Sequence, residues 1–198
     1  MNKLNACGFT LIELMVGLAV LAIALGAGVP SMSEFIQNSR LSAQTNDLLA
    51  SLHLARTEAI KRNARVTLCR SADATTSATP TCSTAPGTGW EIGWMVFADA
   101  SPFGTFSAGV EGANALLDSH GAAATSVSIT PRARVADTIG DYVSYTSRGA
   151  IRDNLGAAQS GAFRLCDERG LDHARGLVLS ATGRVEFTKA TSDIEACP

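Results

Sequence analysis

The amino-acid sequence predicts an α+β protein in which a long N-terminal helix, transmembrane at first and amphipathic further on, packs on a C-terminal antiparallel β-rich domain. Three observations carry that expectation. Residues 9–29 are apolar except for Thr10 and Glu13. Residues 31–62 place apolar side chains at helical spacing with no Gly or Pro to interrupt them. After Arg65 the chain becomes a series of short β-prone runs separated by turn residues. At 198 residues it suits one anchor and one modest domain, because single domains usually run about 100–200 residues. The expected organisation is a leader over residues 1–8, a membrane helix over 9–29, an amphipathic helix over 30–65 and a β-rich head over 66–198.

Residues 1–8 are short and polar and carry Lys3, and the change to apolar character at Gly8 is abrupt. At about 1.5 Å rise per residue, the stretch that follows reaches roughly 30 Å, the hydrocarbon thickness of a bilayer. A secretory signal would carry a shorter apolar core ending in a small-residue cleavage site. Here the apolar segment runs on into a helical pattern. Lys3 and the N-terminal amine precede the span and no base lies within it, so the positive-inside tendency puts the N-terminus in the cytoplasm and the head outside. Glu13 is costly in such a span and calls for a partner or a task. Pro30, preceded by Gly26 and Gly28, either kinks the helix or opens a new one at its first turn.

The run Gly8-Phe9-Thr10-Leu11-Ile12-Glu13 resembles the processing site of type IV pilins and type II secretion pseudopilins. The resemblance implies that a prepilin peptidase cuts between Gly8 and Phe9 and that the new amine of Phe9 is methylated. It also implies that Glu13 pairs with the N-terminal amine of a neighbouring subunit, which a low-dielectric helix bundle favours. Some tip subunits lack this acid, so its presence implies a place below the extreme tip. Pro30 falls where pilins commonly carry a helix-kinking proline. The implied location is the bacterial inner membrane, with the head in the periplasm and then in the pseudopilus or pilus.

Leu41, Leu48, Leu52, Ala55 and Ala59 recur at helical spacing and mark one apolar face, read as core packing. Residues 54–62, LARTEAIKR, followed by VTLC at 66–69, are similar to the GspH/FimT family of minor pilins and pseudopilins. The tryptophan-containing GWEIGWMVFAD at 89–99 and the closing RGLVLSATGRV at 175–185 extend that similarity. It implies a pilin-like fold and a non-enzymatic subunit that primes or caps a type II secretion pseudopilus or a type IV pilus. The implied partners are other minor and major pilins or pseudopilins, the prepilin peptidase, the inner-membrane assembly platform and membrane lipid.

In the head, strands are expected over residues 66–69, 90–97, 127–129, 142–145, 163–166, 177–180 and 185–187. Residues 71–89, rich in Ser, Thr, Ala, Pro and Gly, read as a surface loop. Residues 99–121, with Asp99, Glu111 and Asp118 too widely spaced for a calcium loop, read as a solvated one. Of five cysteines, Cys7 leaves with the leader, and the remaining four suit two disulfides in an oxidising compartment. Three connectivities are open; the pairing expected is Cys69 with Cys82 and Cys166 with Cys197.

No enzyme motif accompanies His53, His120 or His173, the pairs Asp137/Asp141 and Asp167/Glu168 read as charged turns, and neither a metal nor a cofactor is expected. The net charge of -2 gives no sequence-wide attraction to nucleic acid. The competing function is a DNA-binding minor pilin acting in natural transformation. In such members the Gly-Arg after the penultimate strand is followed, one residue on, by a second arginine. Here Gly183-Arg184-Val185 is followed by Glu186, which reverses the local charge and leaves Arg184 as the lone contact candidate. Arg132, Arg134, Arg148, Arg152 and Arg164 are interspersed with Asp137, Asp141, Asp153, Asp167 and Glu168 and have no aromatic stacking run.

Overall fold

The computed structural model describes residues 8–86, 89–100, 103, 106, 115–123, 126–132 and 137–197, with the backbone alone over 27–31. Helix α1, Leu11–Arg62, leads into β1, Arg65–Arg70. A 3-10 turn over Trp90–Ile92 precedes β2, Trp94–Asp99, which is followed by β3, Leu116–His120, β4, Val127–Pro131, and β5, Tyr142–Tyr145. After β6, Gly161–Asp167, come a 3-10 turn over Leu171–His173, β7, Arg175–Leu179, β8, Val185–Thr188, and a one-turn α2, Thr191–Ile194. The architecture is α+β: a long N-terminal helix with antiparallel sheets packed on its C-terminal half.

The chain divides into two compact units, Met1–Ser39 and Arg40–Pro198. In the first, α1 keeps its apolar side chains outside: Leu11, Ile12, Val20 and Ile23 are all more than half exposed. Among the described residues no helix is long and apolar enough to cross a membrane. Residues 27–29 of the expected span, and the side chain of Pro30 on which the expected kink rests, lie outside the described side chains.

The second unit is organised by the other half of α1. Leu41, Leu48, Leu52, Ala55 and Ala59 are fully buried, as the helical spacing predicts, and join strands of both sheets in one core. Two polar residues share the stripe. Thr45 returns its hydroxyl to the Leu41 carbonyl at 2.6 Å, and Ser51 accepts the indole N–H of Trp94 at 2.9 Å. The helix stops after Arg62 because Asn63 takes a left-handed conformation, φ 49°. Its N–H donates to the Ile60 carbonyl and that of Ala64 to the Ala59 carbonyl, both at 3.2 Å, the paired bonds of a Schellman stop.

One sheet has the order β3-β2-β1-β5 and the other β4-β6-β7-β8, with every pairing antiparallel. Trp90 meets Phe163 edge-on at 4.8 Å, linking the first 3-10 turn to β6. Cys69 is bonded to Cys82, fastening the 71–89 loop to β1, and Cys166 to Cys197, fastening the C-terminal turn to β6.

Two expectations are corrected. Residues 90–97 do not form one strand: Gly93 adopts φ 117°, so Trp90–Ile92 curls into a 3-10 turn and the strand starts at Trp94. A Cβ at Gly93 would stand 2.7 Å from the His120 carbonyl oxygen, a space only glycine leaves. Nor is the 99–121 stretch a solvated loop at its ends. Asp99 is buried at the end of β2, where the Thr67 hydroxyl donates to it, and residues 116–120 form the edge strand β3. The polar sequence Leu-Leu-Asp-Ser-His hid that strand, because Asp118 and His120 face polar groups of α1, namely Ser51 at 3.4 Å and Asp47 at 3.2 Å. Glu111 lies outside the described residues.

Two predictions follow from this packing. Gly183, at φ 80°, lies so close to the Gly149 carbonyl that an added Cβ would sit 1.8 Å from its oxygen. Gly183→Ala is therefore expected to cost more than the roughly 1–2 kcal/mol of a left-handed non-glycine residue, read as a lower melting temperature of the full chain in detergent. The second concerns acid. Burial raises the Asp167 carboxyl, but hydrogen bonds and charge from Arg169, with His173, outweigh it and hold the group below the usual carboxylate range. A lowered folded-state value means stabilisation present above the unfolded-state value of about 3.9 and lost as pH falls through the folded one. Asp167→Asn should melt lower at neutral pH and lose less on acidification from about pH 5 to pH 3 than the parent.

Candidate assembly segment

A helix start leaves backbone N–H groups without intrahelical partners, and the sequence around Glu13 provides for them. Residues 8–10 are exposed and outside the helix, which begins at Leu11. Thr10 is the N-cap. Its Oγ1 accepts the Glu13 N–H at 3.3 Å, and Glu13 Oε2 accepts in return the Thr10 N–H at 3.3 Å and the Thr10 hydroxyl at 3.2 Å. This reciprocal Thr-x-x-Glu arrangement is a capping box. Within a single chain, then, the Glu13 carboxylate is held on its own helix start, with both bonds on Oε2.

The pattern was legible as threonine followed three residues later by glutamate before an apolar run. The resemblance implies an assembly role for Glu13, and the structure adds that Thr10 orients it. Immediately upstream, Gly8 and Phe9 form an exposed, non-helical dipeptide, with Phe9 85% exposed. A peptidase can engage such backbone without unwinding a helix. Cys7 lies outside the described residues.

The histidines take surface or packing positions. His53 is exposed on α1. His120 stacks on Trp94 with ring centres 4.2 Å apart and planes 5° apart, its Nε2 at 3.2 Å from Asp47 and its Nδ1 at 2.9 Å from the Gly121 carbonyl. It thereby clamps β3 to α1. His173 belongs to the turn before β7.

Three of the candidate arginines are engaged with neighbouring groups of the head. Arg132 gives two bonds to Asp137, at 2.7 and 3.0 Å, and a third to the Asp193 carbonyl at 2.9 Å. Arg164 reaches the Ala196 and Pro131 carbonyls at 2.8 and 3.3 Å, so both side chains tie down the C-terminal turn. Arg184 lies 2.6 Å from Glu186, its neighbour two residues along the β7–β8 hairpin. Arg134 lies outside the described residues.

The sequence matches the family description "Type II transport protein GspH" over residues 44–183 and "Prokaryotic N-terminal methylation motif" over residues 3–29. Among solved structures, the chain is similar to the type IV minor pilin FimU of Pseudomonas aeruginosa PAO1 in two crystal forms. The P21 form gives a TM-score of 0.53 at 19% identity, covering 82% of this chain and 96% of that one. The P65 form gives 0.50 at 18%, covering 79% and 96%. At such identities the likeness establishes the fold alone. No curated protein sequence matches the chain.

The capping box is testable without a filament. In the full chain in detergent, Thr10→Ala should speed amide exchange at Glu13 by about fivefold, the loss of one N-cap, while Thr10→Ser should not. Equal exchange in all three would remove the box.

Proposed function

Because the chain belongs to the GspH family of type II transport proteins, whose pseudopilins are structural and non-enzymatic, we propose that it primes or caps assembly of a type II secretion pseudopilus or a type IV pilus. The methylation motif implies anchorage in the inner membrane. In this reading the prepilin peptidase cuts between Gly8 and Phe9, Phe9 is methylated, and the helix from Phe9 stores the subunit in the bilayer with its head in the periplasm. Glu13 then exchanges its bonds to Thr10 for a neighbour's N-terminal amine, Pro30 loosens the helix at its exit, and the head meets other pilins or pseudopilins on the assembly platform.

The observation that carries the reading is the coincidence, within six residues, of an accessible Gly8-Phe9 bond and a helix start that holds Glu13 by hydrogen bonds alone. A carboxylate so held is pre-oriented and still exchangeable. The cut removes the chain upstream of Phe9 and leaves a cation next to such a carboxylate in the assembled bundle, where a charge pair gains strength from the low dielectric.

DNA uptake is the second reading, and Arg184 is its contact candidate. The 2.6 Å pair with Glu186 weighs against it, since a phosphate would have to displace an adjacent acid.

Glu13→Ala should insert in the membrane at parental level yet fall by about tenfold in the sheared filament fraction, while Glu13→Asp keeps part of the incorporation. Undiminished incorporation of Glu13→Ala would remove the pairing role. Anisotropy of a labelled DNA duplex with the full chain in detergent should stay flat at low salt; salt-sensitive binding abolished by Arg184→Ala would install the second reading instead.

A further inference from the structure

The β4-β6-β7-β8 sheet treats its two edge strands differently. At the β4 edge, the Arg132 N–H donates to the Ala162 carbonyl of β6 at 2.6 Å. Bonded and non-bonded pairs alternate along an antiparallel ladder, so Val127, Ile129 and Pro131 turn their backbone groups outward. Two of these three positions are blocked. Glu91 Oε2 accepts the Ile129 N–H at 3.0 Å while Oε1 holds the Gly89 N–H at 3.0 Å, and Pro131 has no N–H to offer. A carboxylate and a proline on an edge stop a further strand from pairing there.

The β8 edge carries neither. The Ser180 N–H donates to the Arg184 carbonyl at 3.0 Å. By the same alternation Glu186 and Thr188 bond to β7, and the N–H and C=O groups of Val185 and Phe187 point away from the sheet. Among the described residues no hydrogen bond reaches those outward groups. Beside them the Phe187 ring is 48% exposed, although its ladder partner Leu177 is fully buried.

This open edge is ordered before anything binds it. In the turn ahead of β8 the Gly183 N–H donates to the Ser180 carbonyl at 2.8 Å, and at its end the Thr188 hydroxyl donates to Asp193 at 3.0 Å. A strand pairing with it would lose conformational freedom on its own side alone. Arg184 and Lys189 flank the edge and Glu186 lies between them, which leaves a net positive charge.

We propose that β8 takes up an extended segment of a different pilin-like subunit, which adds a fifth strand to the sheet through the backbone of Val185 and Phe187. The added strand lays an apolar side chain on Phe187 and turns an acid toward Lys189, so that main-chain bonds supply affinity and side chains supply selectivity. The contact rests on the assembly reading above and names the surface by which the head meets a neighbour. Because β4 is blocked, the sheet gains a strand on one side only, and extension by this route ends at this chain, as it does at a priming or capping subunit. A second copy pairing β8 with β8 would instead close a two-fold dimer. In the register centred on Glu186 it would also set that acid against its own copy.

The test is amide exchange, resolved by residue with fragmentation mass spectrometry, on the tagged full chain in nonionic detergent and on the same chain in sheared filaments. In detergent Val185 and Phe187 should exchange freely while Glu186 and Thr188 are slow. In filaments Val185 and Phe187 should slow by about a hundredfold. Phe187→Pro removes an outward N–H and leaves the bonds to β7 intact. It should enter filaments about fivefold less than Phe187→Ala, which loses the side chain alone, with the two variants melting alike in detergent. If the proline variant melts lower, the exchange comparison on the parent chain decides. Unchanged exchange at Val185 and Phe187 in filaments would overturn the edge contact, as would equal incorporation of the two variants. Protection of both amides already in detergent, in a species of twice the chain's mass, would overturn it in favour of the dimer. Glu13-dependent entry of a chain whose β8 amides stay unprotected leaves the assembly reading standing, whereas absence of the parent chain from filaments strikes that reading and the edge contact with it.

Discussion

The head rests on one stripe of α1 remaining apolar and narrow enough for two sheets to close over it. Leu41, Leu48 and Leu52 supply bulk, while Ala55 and Ala59 keep the last turns slim, and all five are fully buried. Removing a buried leucine from such a stripe costs about 2–5 kcal/mol, a large share of a domain's stability. The two tryptophans depend on the same helix and its neighbours. Trp94 spends its indole N–H on Ser51 of the stripe, and Trp90 packs on Phe163 while donating to the Gly140 carbonyl at 2.8 Å. Buried polar groups here are paired in the Thr67, Ser144 and Asp99 hydrogen-bonded cluster, whereas the Tyr145 hydroxyl, in the same core, has no hydrogen-bond partner among the described residues.

The N-terminal part of the same helix meets the opposite condition. Among the described residues, its leucines, isoleucines and valines from Leu11 to Leu25 are exposed within the unit they belong to. Each such side chain forgoes about 1.5–3 kcal/mol by staying in water, a cost that apolar surroundings would relieve. Glu13 is an acid in that surface, and the capping box accounts for how a single chain tolerates it: the carboxylate accepts the Thr10 N–H and the Thr10 hydroxyl at the helix start. Sequence, helix start and assembly chemistry therefore converge on the same six residues.

The long helix and its buried stripe were legible because both are periodic, and the β-rich nature of the head because its strands alternate with turn residues. What escaped reading was set by tertiary contacts. β3 is too polar to look like a strand, and it is one because Asp118 and His120 find Ser51 and Asp47 across the interface. The break at Gly93 needed the knowledge that its backbone runs against the His120 carbonyl. The role of Asn63 as a helix stop hinges on a single left-handed residue, which asparagine tolerates but does not announce. At the assembly segment the motif itself was readable, but Thr10's part was visible only once its hydroxyl and N–H were seen on Glu13. The interspersed acids were readable, but not the structural role of Arg132 and Arg164, which turn to the C-terminal segment rather than to solvent.

The central claim is that the chain is processed at Gly8-Phe9 and works as a filament subunit through the helix that then begins. Intact-mass and N-terminal peptide analysis of the chain recovered from sheared filaments tests it most directly. The account predicts a mature chain starting at N-methylated Phe9 and lacking Cys7. Recovery of the chain with residues 1–8 still attached in that fraction, or its absence from the fraction while the membrane pool is fully processed, would contradict it.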